Sequence, residues 1–426
     1  MEHLYIEGGR PLVGTVRVSG AKNAVLKLMA ASLMTPEECV IRNVPLITDV
    51  FNMIAVLRGL GAEVQLGGDG VMRVRSAALN WVAPDDSARE MRASIQVMGP
   101  LLGRLRRVSI AHPGGCAIGS RPIDLHLAGL RRMGVTVAEE FGHISGVCDK
   151  LTGAEIHLDY PSVGATENLM MAATLASGIT TIYNCAREPE IIEVQTFLNC
   201  MGAKVRGAGT DVIRVSGVTE LGGADLAVLP DRIEAGTYLT AAVMTRGELI
   251  LEPVITDHLQ MLLAKLREAG AEVEVDEERV YVRARSPLRP LQVRSAPHPG
   301  FPTDMQPQFV AMLTLAQGTS IVSENVYSNR FQHVNEFIRM GADIRVDGRI
   351  AVIRGPGHLT GAQVHAWDLR AGAAVVLAGL AADGITKVEN VYHIDRGYEK
   401  LEAKLRGVGA CIERREAVAV GEPVLV

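Results

Sequence analysis

Residues 57–64 read Leu57-Arg-Gly-Leu-Gly61-Ala-Glu-Val64: the end of an apolar-periodic helix, a glycine, a small residue and the start of a strand. Glycine at that place supplies the left-handed conformation on which helices stop. The phrase returns as Leu130-Arg-Arg-Met-Gly134, Leu198-Asn-Cys-Met-Gly202, Leu266-Arg-Glu-Ala-Gly270, Ile338-Arg-Met-Gly341 and Leu405-Arg-Gly-Val-Gly409. Successive glycines lie about 68 to 73 residues apart, a period long enough for a small supersecondary fold used six times.

Upstream of each phrase stands a helix rich in Ala, Gly, Met and Leu. The copies begin near Lys22, Arg92, Ala165, Arg232, Asp304 and Arg370. Two of them read Ala24-Val-Leu-Lys-Leu-Met-Ala-Ala and Ala371-Gly-Ala-Ala-Val-Val-Leu-Ala-Gly-Leu. Helices apolar nearly all round belong in a core, and small side chains let neighbouring backbones approach. Downstream come alternating strands such as Val273-Glu-Val-Asp and Val280-Tyr-Val-Arg. The last copy is short, and the leader before residue 20 carries unclaimed strand patterning. The leader is therefore expected to complete the last repeat. Residues 20–230 would form one α/β half of three repeats, and 231–426 plus 1–19 the other, with chemistry in the cleft between them.

The 426 residues are 48% hydrophobic and 21% charged, which suits a compact protein with a large core. The net charge of −5 offers no field for nucleic acid, and no apolar run is long enough to span a membrane. The N-terminus lacks a signal-peptide pattern, so a cytoplasmic protein is expected. The six cysteines are scattered, with no pairing that suits zinc, and free thiols are expected; no metal or cofactor is called for.

The second repeat breaks the pattern. Between its middle strand and its helix-ending glycine it carries about five extra residues, the stretch His112-Pro-Gly-Gly-Cys116-Ala-Ile-Gly-Ser-Arg121-Pro-Ile-Asp124. Its glycines and proline make a loop. A thiol beside Arg121 and a helix start should be reactive, although an incidental surface cysteine is the plainer alternative. The other five cysteines should pack as small hydrophobes. Charge also recurs at equivalent corners: Lys22, Arg92, Arg232, Asp304 and Arg370 where the first helix starts, and Asp49, Arg121, Arg330 and Arg396 where the second does. Converging helix N-termini would add their N–H groups to such cations and form an anion pocket. A repeat scaffold without chemistry remains open on the repeats alone.

Read in order, further segments carry a resemblance. They are Ser19-Gly-Ala-Lys22-Asn23-Ala, Pro113-Gly-Gly-Cys116-Ala-Ile-Gly, Arg121-Pro-Ile-Asp124-Leu125-His126, Pro161-Ser-Val-Gly-Ala-Thr-Glu-Asn168, Pro299-Gly-Phe-Pro-Thr-Asp304-Met-Gln-Pro-Gln, Asn329-Arg330-Phe, Asp368-Leu-Arg370-Ala-Gly and His393-Ile-Asp-Arg396-Gly-Tyr. Together they resemble the UDP-N-acetylglucosamine 1-carboxyvinyltransferases, enolpyruvyl transferases that open peptidoglycan precursor synthesis. The resemblance runs end to end. His112 and Ser120 depart mildly from the pattern. The sister enzymes that act on 3-phosphoshikimate share the fold but lack the cysteine loop.

The resemblance implies two inside-out, barrel-like α/β domains, each of three βαβαββ units with pseudo-threefold symmetry. It implies phosphoenolpyruvate and UDP-N-acetylglucosamine as substrates, with a tetrahedral ketal between addition and elimination. Lys22, Arg121 and Arg396 are then the candidates for the phosphate, and Arg330, Arg370 and Arg396 for the carboxylate, which a guanidinium fork suits. Asn23 is expected to bond the ketal. Cys116 is the candidate acid and Asp304 the candidate base. The sugar nucleotide is expected at Arg92, Arg121, Pro122, Ile123, Asp124, Leu125, Ser162, Val163, Gly164, Asp304 and Val326. Residues 112–121 are expected to close as a lid, and fosfomycin to alkylate Cys116. Cys116→Ser should therefore lose turnover far more than sugar-nucleotide affinity, measured by phosphate release and by equilibrium binding; equal losses would assign the cysteine to binding.

Overall fold

A helix that is apolar on every side has to be covered on every side. In the computed structural model, which describes residues 2–84, 91–112 and 123–416, six such helices do form the interior. They are Lys22–Ala31, Met98–Leu105, Val163–Thr174, Arg232–Met244, Gln306–Leu313 and Leu369–Ala381. Every residue from Ala24 to Ala31 is buried, as is every residue from Arg370 to Leu380. Helix Met98–Leu105 packs on Val163–Thr174, and Gln306–Leu313 packs on Leu369–Ala381.

The strands form six small sheets with one shared order. In the third repeat Glu155–His157 runs parallel to Ile179–Tyr183, which pairs antiparallel with Val212–Ser216, which in turn pairs with Lys204–Arg206. The fifth repeat does the same with Gln292–Arg294, Gly318–Ser323, Ile350–Gly355 and Asp343–Asp347. Alternation sets the inner face: in the fourth repeat Leu249 lies opposite Val282 and Leu251 opposite Val280, all four fully buried. In the second repeat the described residues form only three strands, Arg107–Ala111, His143–Val147 and Thr136–Glu140. There a lone parallel bridge from Val82 to Ser109 stands where the opening strand would be.

The leader corrects the sequence reading. Only its first strand, Glu2–Glu7, closes the sixth repeat, where it pairs with Ile385–Glu389 and Cys411–Glu416. Its second strand, Val13–Arg17, opens the fourth repeat, parallel to Glu248–Glu252. The first repeat is opened by Asp225–Ala227, parallel to Glu38–Arg42. The reason is that an opening strand runs parallel to the middle strand, and a parallel partner cannot come from an adjacent hairpin. Two compact lobes result. One holds Ser19–Arg232 with Ala296–Pro302; the other holds Met1–Val18, Ile233–Ser295 and Thr303–Val426. Each is a three-repeat α/β lobe with helices inside and sheets outside, the fold class expected from the sequence.

All six helix-ending glycines adopt the left-handed conformation, with φ of 96° at Gly61, 91° at Gly134, 98° at Gly202, 103° at Gly270, 99° at Gly341 and 99° at Gly409. After each, the next N–H donates to a carbonyl five residues back, as Ala62 does to Leu57 at 3.0 Å and Ala271 to Leu266 at 3.0 Å. This bond satisfies a carbonyl the helix end would otherwise leave open. Cys39, Cys148 and Cys185 pack as expected, but Cys200 is exposed and Cys411 is half-buried with its Sγ 3.2 Å from Glu7, so neither acts as core filler. No described helix is long and apolar enough to cross a membrane.

Two substitutions separate backbone strain from crowding. At Gly202 an added Cβ meets nothing, so Gly202→Ala should cost about 1–2 kcal/mol, the left-handed penalty alone. At Gly61 the Cβ would sit 2.7 Å from the Ala78 carbonyl oxygen, so Gly61→Ala should cost measurably more in urea unfolding.

Candidate functional site

Asp304 lies in the short turn Thr303–Met305 that leads into Gln306–Leu313. Its carboxylate joins two arginines of the same lobe. Oδ1 accepts from Arg330 Nη2 at 3.0 Å, and Oδ2 from Arg370 Nε at 3.3 Å. The Asp304 side chain is 24% exposed, whereas those of Arg330 and Arg370 are 2% and 3% exposed. The acid is thus the accessible member and the two cations form its floor. Each guanidinium also lies over a tyrosine ring, Arg330 over Tyr327 and Arg370 over Tyr398, both at 5.4 Å. Tyr398 is fixed in turn by Thr237, 2.9 Å from its hydroxyl, and by Gln308 Nε2 at 3.3 Å. Arg330 keeps Nε and Nη1 buried without a partner among the described residues.

Val326 is half-buried beside this cluster in sequence, and its N–H already donates to Glu324 Oε1 at 2.8 Å. Any backbone contact to a ligand there would have to use its carbonyl. Arg396 is the half-buried C-cap of Tyr392–Asp395, between two short helices instead of at the start of one long helix. Burial, and then the Arg396 charge, lower the pKa of His393 from its ordinary value.

In the other lobe Lys22 is the first residue of Lys22–Ala31 and is 8% exposed. Its Nζ sits 2.8 Å from Asp49 Oδ2, and its N–H donates to Asp231 Oδ2 at 3.1 Å. Asn23 is half-buried, and its carbonyl oxygen accepts from Lys27 Nζ. Lys27 also pairs at 3.5 Å with Glu167, whose carboxyl burial pushes up to about 7. Nearby, Arg232 forms a buried fork with Glu190 at 3.0 and 3.3 Å.

Ser162 caps Val163–Thr174, accepting from the Ala165 N–H at 3.3 Å. The helix therefore starts before Ala165, and Val163 and Gly164 lie in its first turn. The Gly164 carbonyl accepts from Gln96 Nε2 at 3.2 Å. Ile123 is buried just ahead of Asp124–Arg132, which Asp124 opens on the surface with Leu125 half-buried behind it. Arg92 opens the turn Arg92–Val97. Cys116, Arg121 and Pro122, and most of the 112–121 segment, lie outside the described residues.

The expected anion pocket of open helix starts is corrected here. The Lys22 N–H is taken by Asp231, and the Arg370 and Ala371 N–H groups by Asp368 at 2.7 and 3.0 Å. A buried helix start cannot leave its first donors bare, so the fold supplies its own carboxylates. Asp231, Tyr327 and Tyr398 escaped sequence reasoning; Asp49 was legible as a charged corner but its role was not. Among the described residues no group of three His, Cys, Asp or Glu side chains is placed to hold a metal ion.

Comparison with known proteins gives a consistent picture. The family model described as EPSP synthase (3-phosphoshikimate 1-carboxyvinyltransferase) matches residues 6–405. The UDP-N-acetylglucosamine 1-carboxyvinyltransferase 1 of Carboxydothermus hydrogenoformans is 52% identical over 415 residues, 97% of this chain and 98% of the relative. The UDP-N-acetylglucosamine 1-carboxyvinyltransferase of Nitratidesulfovibrio vulgaris is 51% identical over 418 residues, 98% of this chain and 100% of its own. Among solved structures, the enolpyruvyl transferase NikO from Streptomyces tendae superposes with a TM-score of 0.89 at 26% identity, covering 98% of this chain and 99% of its own. An EPSP synthase from Acinetobacter baumannii shares the fold, with a TM-score of 0.76 at 17% identity over 98% of this chain and all of its own.

Buried acids near the first-lobe cations set a pH dependence of stability. Burial pushes Glu193 up to about 8, against the pull of the Leu229 N–H on its Oε1 at 2.7 Å. A glutamate ionises near 4.3 in the unfolded chain, so between about 4.3 and about 8 the folded state holds the extra proton and loses stability as pH rises. Glu193→Gln removes that loss. Its thermal midpoint should gain on the wild type from pH 5 to pH 8, and parallel melting curves at both pH values would show Glu193 ionised in the fold.

Proposed function

The chain belongs to the EPSP synthase family and, within it, to the UDP-N-acetylglucosamine 1-carboxyvinyltransferases, and from that premise we propose how its residues carry the reaction. It is an enzyme, a transferase that moves the enolpyruvyl group of phosphoenolpyruvate to the 3′-hydroxyl of UDP-N-acetylglucosamine and releases phosphate, in the making of peptidoglycan precursor. The observation that carries the residue assignment is Asp304 held between Arg330 and Arg370, with the acid accessible and the cations buried.

Addition needs a base for the sugar hydroxyl, an acid for the methylene carbon and fixed cations for two anionic groups. Asp304 is the proposed base. Its arginine floor supports the carboxylate of phosphoenolpyruvate, since Arg330 retains buried donors beyond those Asp304 uses. Lys22, Arg121 and Arg396 are proposed for the phosphate, and Arg396 for the carboxylate as well. Cys116 gives its proton to C3 as the sugar oxygen bonds C2, and Asn23 bonds the resulting ketal. Loss of a C3 proton then accompanies cleavage of the bond between C2 and the phosphate oxygen, leaving the enolpyruvyl ether and inorganic phosphate. The thiol is proposed to rest as a thiolate and to take up its proton when the dianionic substrate binds.

The sugar nucleotide is proposed to lie along Arg92, Arg121 to Leu125, Ser162 to Gly164, Asp304 and Val326. The 112–121 segment is proposed as its lid. Lys22 belongs to one lobe and Asp304, Arg330, Arg370 and Arg396 to the other. The cytoplasm, where phosphoenolpyruvate is at hand, is the proposed place of reaction. Phosphate release should be seen with UDP-N-acetylglucosamine and not with 3-phosphoshikimate, and it should be lost after fosfomycin treatment with one adduct on Cys116 by mass spectrometry. Release with 3-phosphoshikimate instead would move the chain to the sister activity, and an adduct elsewhere would remove Cys116 from its role.

A further inference from the structure

One charge interrupts the interior of the central helices. Five residues after the starts near Lys22, Arg92, Ala165, Arg232, Asp304 and Arg370 stand Lys27, Val97, Met170, Thr237, Phe309 and Val375. Only the first repeat places an ion there. Its partner is Glu167, in the core helix Val163–Thr174. The side chains of Lys27 and Glu167 are 11% and 0% exposed.

The pair belongs to a longer line of polar contacts. Lys27 Nζ lies 3.5 Å from Glu167 Oε2 and also donates to the Asn23 carbonyl, in the first turn of its own helix. On the other side, Gln96 Nε2 donates to Glu167 Oε2 at 3.5 Å and to the Gly164 carbonyl at 3.2 Å. Gly164, Gln96, Glu167, Lys27 and Asn23 are thereby joined across all three repeats of one lobe. The two ends of the line are a residue proposed for the sugar nucleotide and the residue proposed for the ketal.

Fold stability does not account for this line. An ion pair so far from water returns in attraction roughly what it lost in hydration, and well-packed apolar residues would hold the helices as well. Glu167 Oε1 and Gln96 Oε1 are moreover buried with no partner among the described residues, which costs stability. What the pair supplies is position. A lysine stem is flexible, and an ammonium placed on a backbone carbonyl holds that residue only while the ammonium itself is held.

We propose that Glu167 is a positioning residue that acts through Lys27 to set Asn23 for the ketal. The proposal rests on the assignment of Asn23 to the ketal made above and extends it to two residues that touch no substrate. The charge on Glu167 is adjustable. Burial pushes its carboxyl up to about 7; Lys27 pulls it down, while Glu190 and Glu188 at the start of helix Pro189–Cys200 push it up. Glu190 is in turn forked by Arg232. From helix Asp124–Arg132, His126 packs close to Gly164, with its Nδ1 3.0 Å from Asn168 Nδ2.

Two variants of the full chain test the proposal by phosphate release, sugar-nucleotide binding and melting. Glu167→Gln copies the protonated glutamate. The ratio of wild-type to variant kcat should be about tenfold or more near pH 8, and should shrink towards one near pH 6, where the wild type has itself lost the charge. Groups that titrate in both proteins cancel in that ratio. Lys27→Met with Glu167→Gln removes both charges, so its thermal midpoint should equal or exceed that of the wild type. Its kcat near pH 8 should still fall by about tenfold, with the dissociation constant for UDP-N-acetylglucosamine unchanged within about twofold. A kcat ratio that does not change with pH overturns the proposal. So does a double variant with wild-type kcat, or one in which kcat, sugar-nucleotide affinity and melting temperature fall together, the mark of a merely structural pair. A wild-type chain that releases no phosphate from phosphoenolpyruvate overturns the functional reading and this proposal with it, whereas wild-type turnover beside a fully active double variant overturns the proposal alone.

Discussion

A charge buried at a helix start must find an opposite charge inside the protein, and the organisation of both lobes follows from that requirement. The helices at the centre of each lobe are covered on every side by the core they form. Their first residues are nevertheless Lys22, Arg232 and, one residue in, Arg370, with Asp304 just ahead of another. Each of these has an internal partner: Asp49, Glu190, Asp304 and Arg330. The backbone donors at the same places are met by Asp231 and Asp368. A fold driven only by apolar burial would place alanine at these corners. Placing charge there, and then enclosing it, makes sense where a third anion is to be received.

The six-fold repeat was legible because its signals are local. A glycine that must take φ near +100° leaves the same mark wherever it stands, and the bond five residues back needs only its own helix. The division of the leader was not legible for the opposite reason. Val13–Arg17 and Asp225–Ala227 each open a sheet whose other strands lie far away in sequence. Parallel pairing of this kind leaves an alternating pattern in the strand but no record of its partner. Pattern alone therefore put the whole leader on the sixth repeat, when half of it opens the fourth.

The site shows the same split. Lys22, Asp304, Arg330 and Arg370 could be found as charged residues recurring at equivalent corners. Their pairings could not, since an aspartate in the first turn of a helix is the commonplace complement of the helix dipole. Asp49 satisfies that rule and so was noted only as a charged corner, although its side chain serves another helix. Tyr327 and Tyr398 were invisible for a further reason: a ring beneath a guanidinium has no spacing rule, and only the fold brings Arg370 over a residue 28 positions later.

If substrate anions bind where proposed, the internal pairs bear on how they enter. If Asp304 had to leave its arginines before a carboxylate could bind, the incoming group would face an already neutralised site and a separation of buried charge. Guanidinium chemistry offers another course. Each fork carries five N–H donors. Arg330 gives one nitrogen to Asp304 and holds Nε and Nη1 in reserve among the described residues. Lys22 is likewise held by a resident acid, Asp49, at 2.8 Å. The cations can then be shared between a resident carboxylate and an arriving one, the first keeping them aimed while the second binds. On this view the resident acids are no obstacle to an anionic substrate. They hold the cations in place before it arrives, and the reorganisation that a loose lysine or arginine would need has been completed in folding.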